Sequence, residues 1–452
     1  LLRPSHALYT LLTFEKVAVV LVAATTAAAR FSLGAVLALV PLLLFKFFGE
    51  ATAHAAALAL NLAAYCSLLA LGSYVTVMRD VRSMTISGHI HVIRGYERLA
   101  VWQTAGSFAL LPASVGLFWL WNRDVFLSVD VVTFAAASLL GVLAQATTYW
   151  LNIACGLRYA QDRFVRVGVA VTMTRVGALM VIALAAVMGA PAQVALLSGS
   201  GALLLFSSGL YYLIRSGESP SAQAVPGLDR YSPVHLLRGS LVYVYWSLLA
   251  LAVMSFPVTG IAAASAGLLL PATYAFFVVN AAQVLVAALI TPHSNRLQDR
   301  IGQYDALYAY LRFTARSTLL VTLTGLAVVW AGAPVWPVLI GPSAASAFLP
   351  MVSVLIIAFG FRSLTLAPTQ AAIALKKERL VMISPVIEAL LAVLGVALCS
   401  FWGKGEWILW VVVSSVLVRV GVAFVVEMPR IVEAWRATAQ TAKHTAGEQG
   451  AI

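Results

Sequence analysis

Four ionisable residues stand in segments that are otherwise apolar. Arg175 falls in VTMTRVGALM, Arg362 in AFGFRSLTLAPTQ, Arg419 in SSVLVRVGVAF and Glu388 in SPVIEALLAVLG. Each such group costs roughly 2.5–3.5 kcal/mol to place at the centre of a bilayer, so intramembrane charges are functional candidates by default. A guanidinium presents forked donors that match a carboxylate or a phosphate. Three arginines at membrane depth could therefore line a polar cavity between helices and hold an anionic head group there. A purely structural use is the alternative. Arg362 and Arg419 could extend to the interface, or one of them could pair with Glu388. Arg175 lies mid-way along its segment, where such a reach is hardest. His54 and His293 lie beside apolar runs and could carry protons, although a lone histidine near a helix end is ordinarily just interfacial.

The elements that must position these residues are membrane helices. The chain has 452 residues, 62% of them hydrophobic and 10% charged, with a mean hydropathy of +0.94. Apolar runs of about 20 residues recur along it, the length a helix needs to cross the hydrocarbon core. They predict an all-α polytopic membrane protein with about twelve spans: 29–48, 52–77, 99–121, 129–155, 167–189, 193–214, 240–264, 267–291, 317–334, 346–368, 380–401 and 407–427. Residues 7–28 read as an interfacial or tilted lead-in. Residues 17–29 superficially resemble a signal peptide, but the run continues into the first span. The longest hydrophilic break, 215–239, carries three prolines and mixed charge and reads as a loop. It divides the chain into a six-helix lobe at 1–214 and another at 240–428, followed by a polar tail at 429–452.

Basic residues fix the expected orientation. All but six of the 29 Lys and Arg fall on one side of this plan. Lys46, Arg123 and Lys404 fall on the other, and Arg175, Arg362 and Arg419 lie within spans. The positive-inside bias then places both termini and the linker in the cytoplasm. It also accounts for the net charge of +12 without nucleic acid as a partner.

Soluble catalytic signatures are missing: there is no Walker A loop, dinucleotide fingerprint, HExxH or CxxC. No enzyme activity, cofactor or metal is expected. Cys66, Cys155 and Cys399 lie far apart in apolar sequence, which argues against a disulfide framework. Gly116, Gly168 and Gly177 are spaced to let helices approach. Pro112, Pro257, Pro271, Pro368 and Pro385 lie within spans and would bend helices in both halves.

Three stretches carry a family resemblance. FGEATAHAAALALNLAAYCSLLALGSYVTVMRDV resembles the second-span signature of polysaccharide and O-antigen flippases, with Phe48-Gly49, Gly72 and Arg79 as anchors. ALITPHSNRLQDRIGQYDALYAYLRFTAR is similar to the exit of the eighth span, with Pro292 and Asp305 in place. PVLIGPSAASAFLPMVSVLIIAFGFRSL and AIALKKERLVMISPVIEALLAVLG resemble the tenth-to-eleventh passage, with a basic turn replacing the family's short Gly-Lys turn. These flippases belong to the multidrug/oligosaccharidyl-lipid/polysaccharide exporter (MOP) superfamily. The resemblance implies two six-helix lobes, alternating access and a cationic cavity. It also implies transfer of oligosaccharide units on an undecaprenyl pyrophosphate carrier across a bacterial inner membrane, with possible handover to polysaccharide polymerase machinery.

A cation-coupled multidrug exporter of the same superfamily is the nearest alternative. It would be expected to hold a membrane carboxylate in the first lobe, where the sequence places none at mid-depth; Asp130 lies at a span start. A polysaccharide polymerase would be expected to have a large outer loop, which the spacing of the spans excludes.

Overall fold

The computed structural model describes residues 25, 28, 39–70, 77, 80–81, 89–127, 129–160, 164–216, 233–298, 301, 303–375 and 377–449. Among these the chain is all-helical, with eleven helical runs long and apolar enough to cross a membrane and a shorter apolar helix at Leu39–Phe48. It is a multi-pass membrane protein. In chain order the helices are α1 (Leu39–Phe48), α2 (Glu50–Ala63), α3 (His89–Trp121), α4 (Val131–Ala160), α5 (Phe164–Val187), α6 (Ala192–Ser216) and α7 (Pro233–Ala264). They continue with α8 (Leu269–Gln298), α9 (Tyr304–Ala331), α10 (Pro342–Leu364), α11 (Leu366–Ala374), α12 (Ile383–Phe401), α13 (Gly405–Val422) and α14 (Met428–Gln449).

Several helices outrun their apolar stretches. α3 has 33 residues, about 50 Å at 1.5 Å per residue, whereas the hydrocarbon core is about 30 Å thick. Arg94 and Arg98 are thus helical rather than loop residues, and so are Arg312 and Arg316, on α9. The last seven residues of the expected linker, 233–239, begin α7. The expected polar tail is helical from Met428 to Gln449 and continues the last span through a π-helical turn at Ala423–Glu427. Hydropathy marks where lipid begins and ends; backbone hydrogen bonding carries the helix on into water.

Helix entries follow local backbone rules. Gly49 has φ +88°, a left-handed conformation that glycine adopts without penalty, and it separates α1 from α2. Asp130 caps α4: its carboxylate accepts from the Val132 N–H at 3.1 Å and the Thr133 hydroxyl at 2.6 Å. Those bonds, the Thr133 one foremost, hold its pKa below the usual carboxylate value. Pro271, Pro368 and Pro385 each occupy the third residue of a helix, where the missing N–H has no partner to lose. The helix is interrupted at Thr365, just before Pro368, and 3₁₀ turns precede the helices that hold Pro271 and Pro385. Pro112 and Pro257 do lie inside helices, and so does Pro350.

Side chains sort the helices into two groups with a shared seam. Buried clusters gather Val40, Leu44, Leu60, Leu140 and Leu196 in the first half, and Val286, Leu307, Ala371 and Trp435 in the second. A third, larger cluster joins Leu58, Leu62 and Phe118 of the first half to Val258, Ile261, Leu270 and Phe348 of the second. Outward, Trp119, Trp330, Trp402 and Trp407 are exposed at helix ends, as expected of an interfacial aromatic belt.

Of the three glycines expected at helix contacts, Gly168 abuts Thr25 and Gly177 abuts the Phe206 ring, whereas Gly116 faces open space. A tighter approach occurs at Gly141, where a Cβ would lie 2.5 Å from Ala63 Cβ. Gly141→Ala should force α4 off α2 and destabilise by about 1–3 kcal/mol. A lowered thermal midpoint of the purified protein would register it, and an unchanged midpoint would refute this close packing.

The second span is irregular. After Ala63 the helix tightens to a 3₁₀ turn over Ala64–Ala70. Its displaced carbonyls are collected by neighbouring side chains: Cys66 O accepts from Tyr149 Oη at 2.5 Å, and Leu69 O accepts from Gln103 Nε2 at 2.6 Å. Ser107 Oγ lies 2.8 Å from Tyr149 Oη and completes the buried network.

Candidate functional site

The structure brings three of the four intramembrane ionisable residues together. Arg362 lies near the end of α10, Glu388 in the second turn of α12 and Arg419 near the end of α13. Glu388 is fully buried. Arg362 Nε donates to its Oε1 at 2.7 Å and Arg362 Nη2 to its Oε2 at 3.3 Å. Arg419 Nη1 donates to the same Oε2. Arg362 Nη1 reaches Gln283 Oε1 on α8 at 3.3 Å, and its guanidinium sits 5.5 Å from the centre of the Phe359 ring. Two guanidiniums thus share one carboxylate, leaving the cluster with a net charge of +1. Both arginines pair with Glu388, where the sequence suggested at most one.

Arg175 is elsewhere, in the first half, and only 2% exposed. Its Nη1 donates to Thr147 Oγ1 at 2.7 Å and its Nη2 to Thr148 Oγ1 at 3.0 Å, both on α4. Each threonine spends its own proton on its own helix, Thr147 on Leu143 O at 2.8 Å and Thr148 on Ala144 O at 2.6 Å. Their lone pairs are thereby turned toward the guanidinium. Arg175 Nε has no hydrogen-bond partner, and no described carboxylate pairs with Arg175. Gly72 and Arg79 lie outside the described residues. Pro292 lies within α8 and Asp305 in the first turn of α9.

Two further acidic residues tie helices together, one buried and one half-buried. Glu427, 1% exposed, accepts from the Ser384 N–H and hydroxyl, each at 2.7 Å, and so caps the start of α12. In the sequence it stands at the edge of an apolar run, where hydropathy does not separate a buried carboxylate from an interfacial one. Glu97 accepts from Arg215 Nε at 3.0 Å and Tyr211 Oη at 2.6 Å, tying α3 to α6. In the sequence it lies inside a basic stretch, between Arg94 and Arg98.

On the side away from the linker, polar and aromatic side chains join the halves. Asn61 Nδ2 donates to Thr273 Oγ1 at 3.1 Å, Tyr65 Oη lies 3.1 Å from Thr259 Oγ1, and Asn122 Nδ2 donates to Ala263 O. The Trp121 and Phe256 rings stack with centroids 5.6 Å apart. Above this seam is a cavity of about 380 Å³ lined by Glu50, Ala51, His54 and Leu58 on one side and Ala262, Ala266 and Leu269 on the other, with Val125 and Val129. Neither arginine site lines it.

The fold is that of the MOP-superfamily transporters. An outward-facing multidrug-resistance MATE-family transporter of that superfamily aligns with a TM-score of 0.66 at 13% identity, covering 92% of this chain and 96% of that one. The eukaryotic MATE transporter AtDTX14 aligns at 0.63 and 12% identity over 96% and 99% of the two chains. A MOP-superfamily transporter from Pyrococcus furiosus Vc1, described as having a binding pocket of reverse polarity that suggests a different function, aligns at 0.64 and 13% over 92% and 96%. No protein-family profile and no curated protein sequence matches the chain.

Proposed function

We propose that this chain is a membrane exporter that moves its cargo by alternating access between its two halves. The observation that carries the reading is the likeness, over more than nine-tenths of the chain, to solved MOP-superfamily transporters. Contacts that join the two halves without covalent linkage, such as Asn61 with Thr273 and Tyr65 with Thr259, are the kind a rocking mechanism makes and breaks. Because the neighbours' descriptions name multidrug resistance, amphipathic small molecules are better supported as cargo than lipid-linked oligosaccharide.

The charges argue about the sign of that cargo. Two arginines outweigh one carboxylate in the second half, and Arg175 stands with hydroxyl partners in the first. An excess of buried positive charge favours anionic over cationic cargo. The same observation keeps a second reading in view, an undecaprenyl-pyrophosphate-linked unit whose diphosphate would meet these guanidiniums.

The test is efflux from bacterial cells stripped of their own drug exporters, with anionic and cationic amphipathic dyes side by side. Expression of this chain should lower retention of the anionic dye. Equal retention of both dyes with and without the chain would remove the small-molecule reading. The lipid-linked reading is then decided by whether completed units accumulate on the cytoplasmic leaflet when the chain is deleted.

A further inference from the structure

We propose that His54 is a proton-binding site that sets how firmly the seam between the two halves closes. The proposal rests on the alternating-access reading and adds to it a residue and a ligand, a proton from the side opposite the linker. Its basis is the 380 Å³ cavity, whose walls come from both halves. Glu50 and His54 are the titratable groups of that lining. Both belong to α2, and every other wall is aliphatic: Val125 and Val129 between α3 and α4, Ala262 on α7, Ala266 in the following turn and Leu269 opening α8.

The pair is set loosely. His54 Nε2 lies 3.6 Å from Glu50 Oε1, too far for a hydrogen bond, and that nitrogen has no other partner. The Glu50 side chain is 61% exposed and the His54 side chain 20%. Immediately below, the seam is held by neutral groups, Asn61 with Thr273 and Tyr65 with Thr259. A neutral imidazole facing Ala262 and Leu269 is compatible with a closed seam. An imidazolium in the same place is drawn to Glu50 but remains poorly hydrated against an aliphatic wall, and parting the halves would let water reach it. Histidine is the side chain whose charge ordinarily changes between about pH 5 and 8. Acidification on that side should therefore loosen the closure.

The experiment is a pulsed electron-spin distance measurement on the full chain, with labels at Arg123→Cys and Lys404→Cys, one on each half, and Cys399→Ala as background. Between pH 8 and pH 5 the long-distance population should grow at least several-fold. His54→Asn should abolish that growth, with His54→Gln as a second neutral variant in case the first misfolds. Glu50→Gln should move the midpoint about one pH unit lower, because a neighbouring carboxylate favours the imidazolium. A pH response that persists in both His54 variants, no response in the parent chain, or an unmoved midpoint in Glu50→Gln would each overturn the assignment. Because distances are read rather than flux, the two ideas fail separately. A pH response without efflux sinks the exporter reading alone, and efflux without a pH response sinks this one alone.

Discussion

Glu388→Leu should cost the fold about 3–5 kcal/mol, the usual penalty for stripping one partner from a buried ion pair. The loss falls on two side chains at once. Arg362 would keep Gln283 Oε1 and the Phe359 ring, and Arg419, whose Nε already lacks a partner, would lose its carboxylate. Purified Glu388→Leu should show a sharply lowered thermal midpoint or run as an aggregate. Glu388→Gln, which keeps one acceptor oxygen, should fall between it and the parent. The triple replacement Arg362→Met, Glu388→Leu, Arg419→Met should recover most of the stability, because an apolar trio leaves no charge to compensate. Export separates the roles. A stable triple variant that no longer exports ties the cluster to cargo, and one that exports normally makes it only a clamp between α10, α12 and α13.

Arg175→Met presents the opposite balance. The methionine fills much of the volume, and Thr147 and Thr148 keep their bonds to Leu143 O and Ala144 O, so no buried donor is orphaned. Stability should change by less than about 1 kcal/mol, since exchanging a buried charge for an apolar side chain is often neutral. Membrane content should match the parent. Export of an anionic dye should fall at least tenfold if the guanidinium meets the cargo, and Arg175→Lys should retain part of it while losing the forked geometry. Wild-type export by Arg175→Met would remove this residue from the cargo path.

The membrane architecture was legible in the sequence because hydropathy depends on composition over about 20 residues, and the lipid imposes it on every span alike. The ends of the helices were not. Arg94, Arg98, Arg312 and Arg316 looked like loop residues because charge marks the edge of lipid, while hydrogen bonding decides where the helix stops. Ionisable residues inside spans could be found one by one, but which of them meet could not. Gln283, Arg362, Glu388 and Arg419 come from four helices, and no spacing along the chain encodes that convergence. The resemblance to flippases pointed to the fold that the chain shares with solved MOP-superfamily transporters. Its anchors Gly72 and Arg79 fall outside the described residues.

The 3₁₀ turn at Ala64–Ala70 has a mechanical consequence. Seven residues wound at about 2.0 Å and 120° each, instead of about 1.5 Å and 100°, lengthen the span by roughly 3.5 Å and turn one end against the other by roughly 140°. The end that is turned carries His54 and Asn61 toward the opposite half, and Tyr65 sits within the turn itself. Tyr149 and Gln103, by holding the Cys66 and Leu69 carbonyls, keep the tighter winding in place. The second span is in effect a screw: unwinding it into ordinary helix would shorten it by that length and turn α2 against the Asn61–Thr273 bond and the Ala63–Gly141 contact that now hold it.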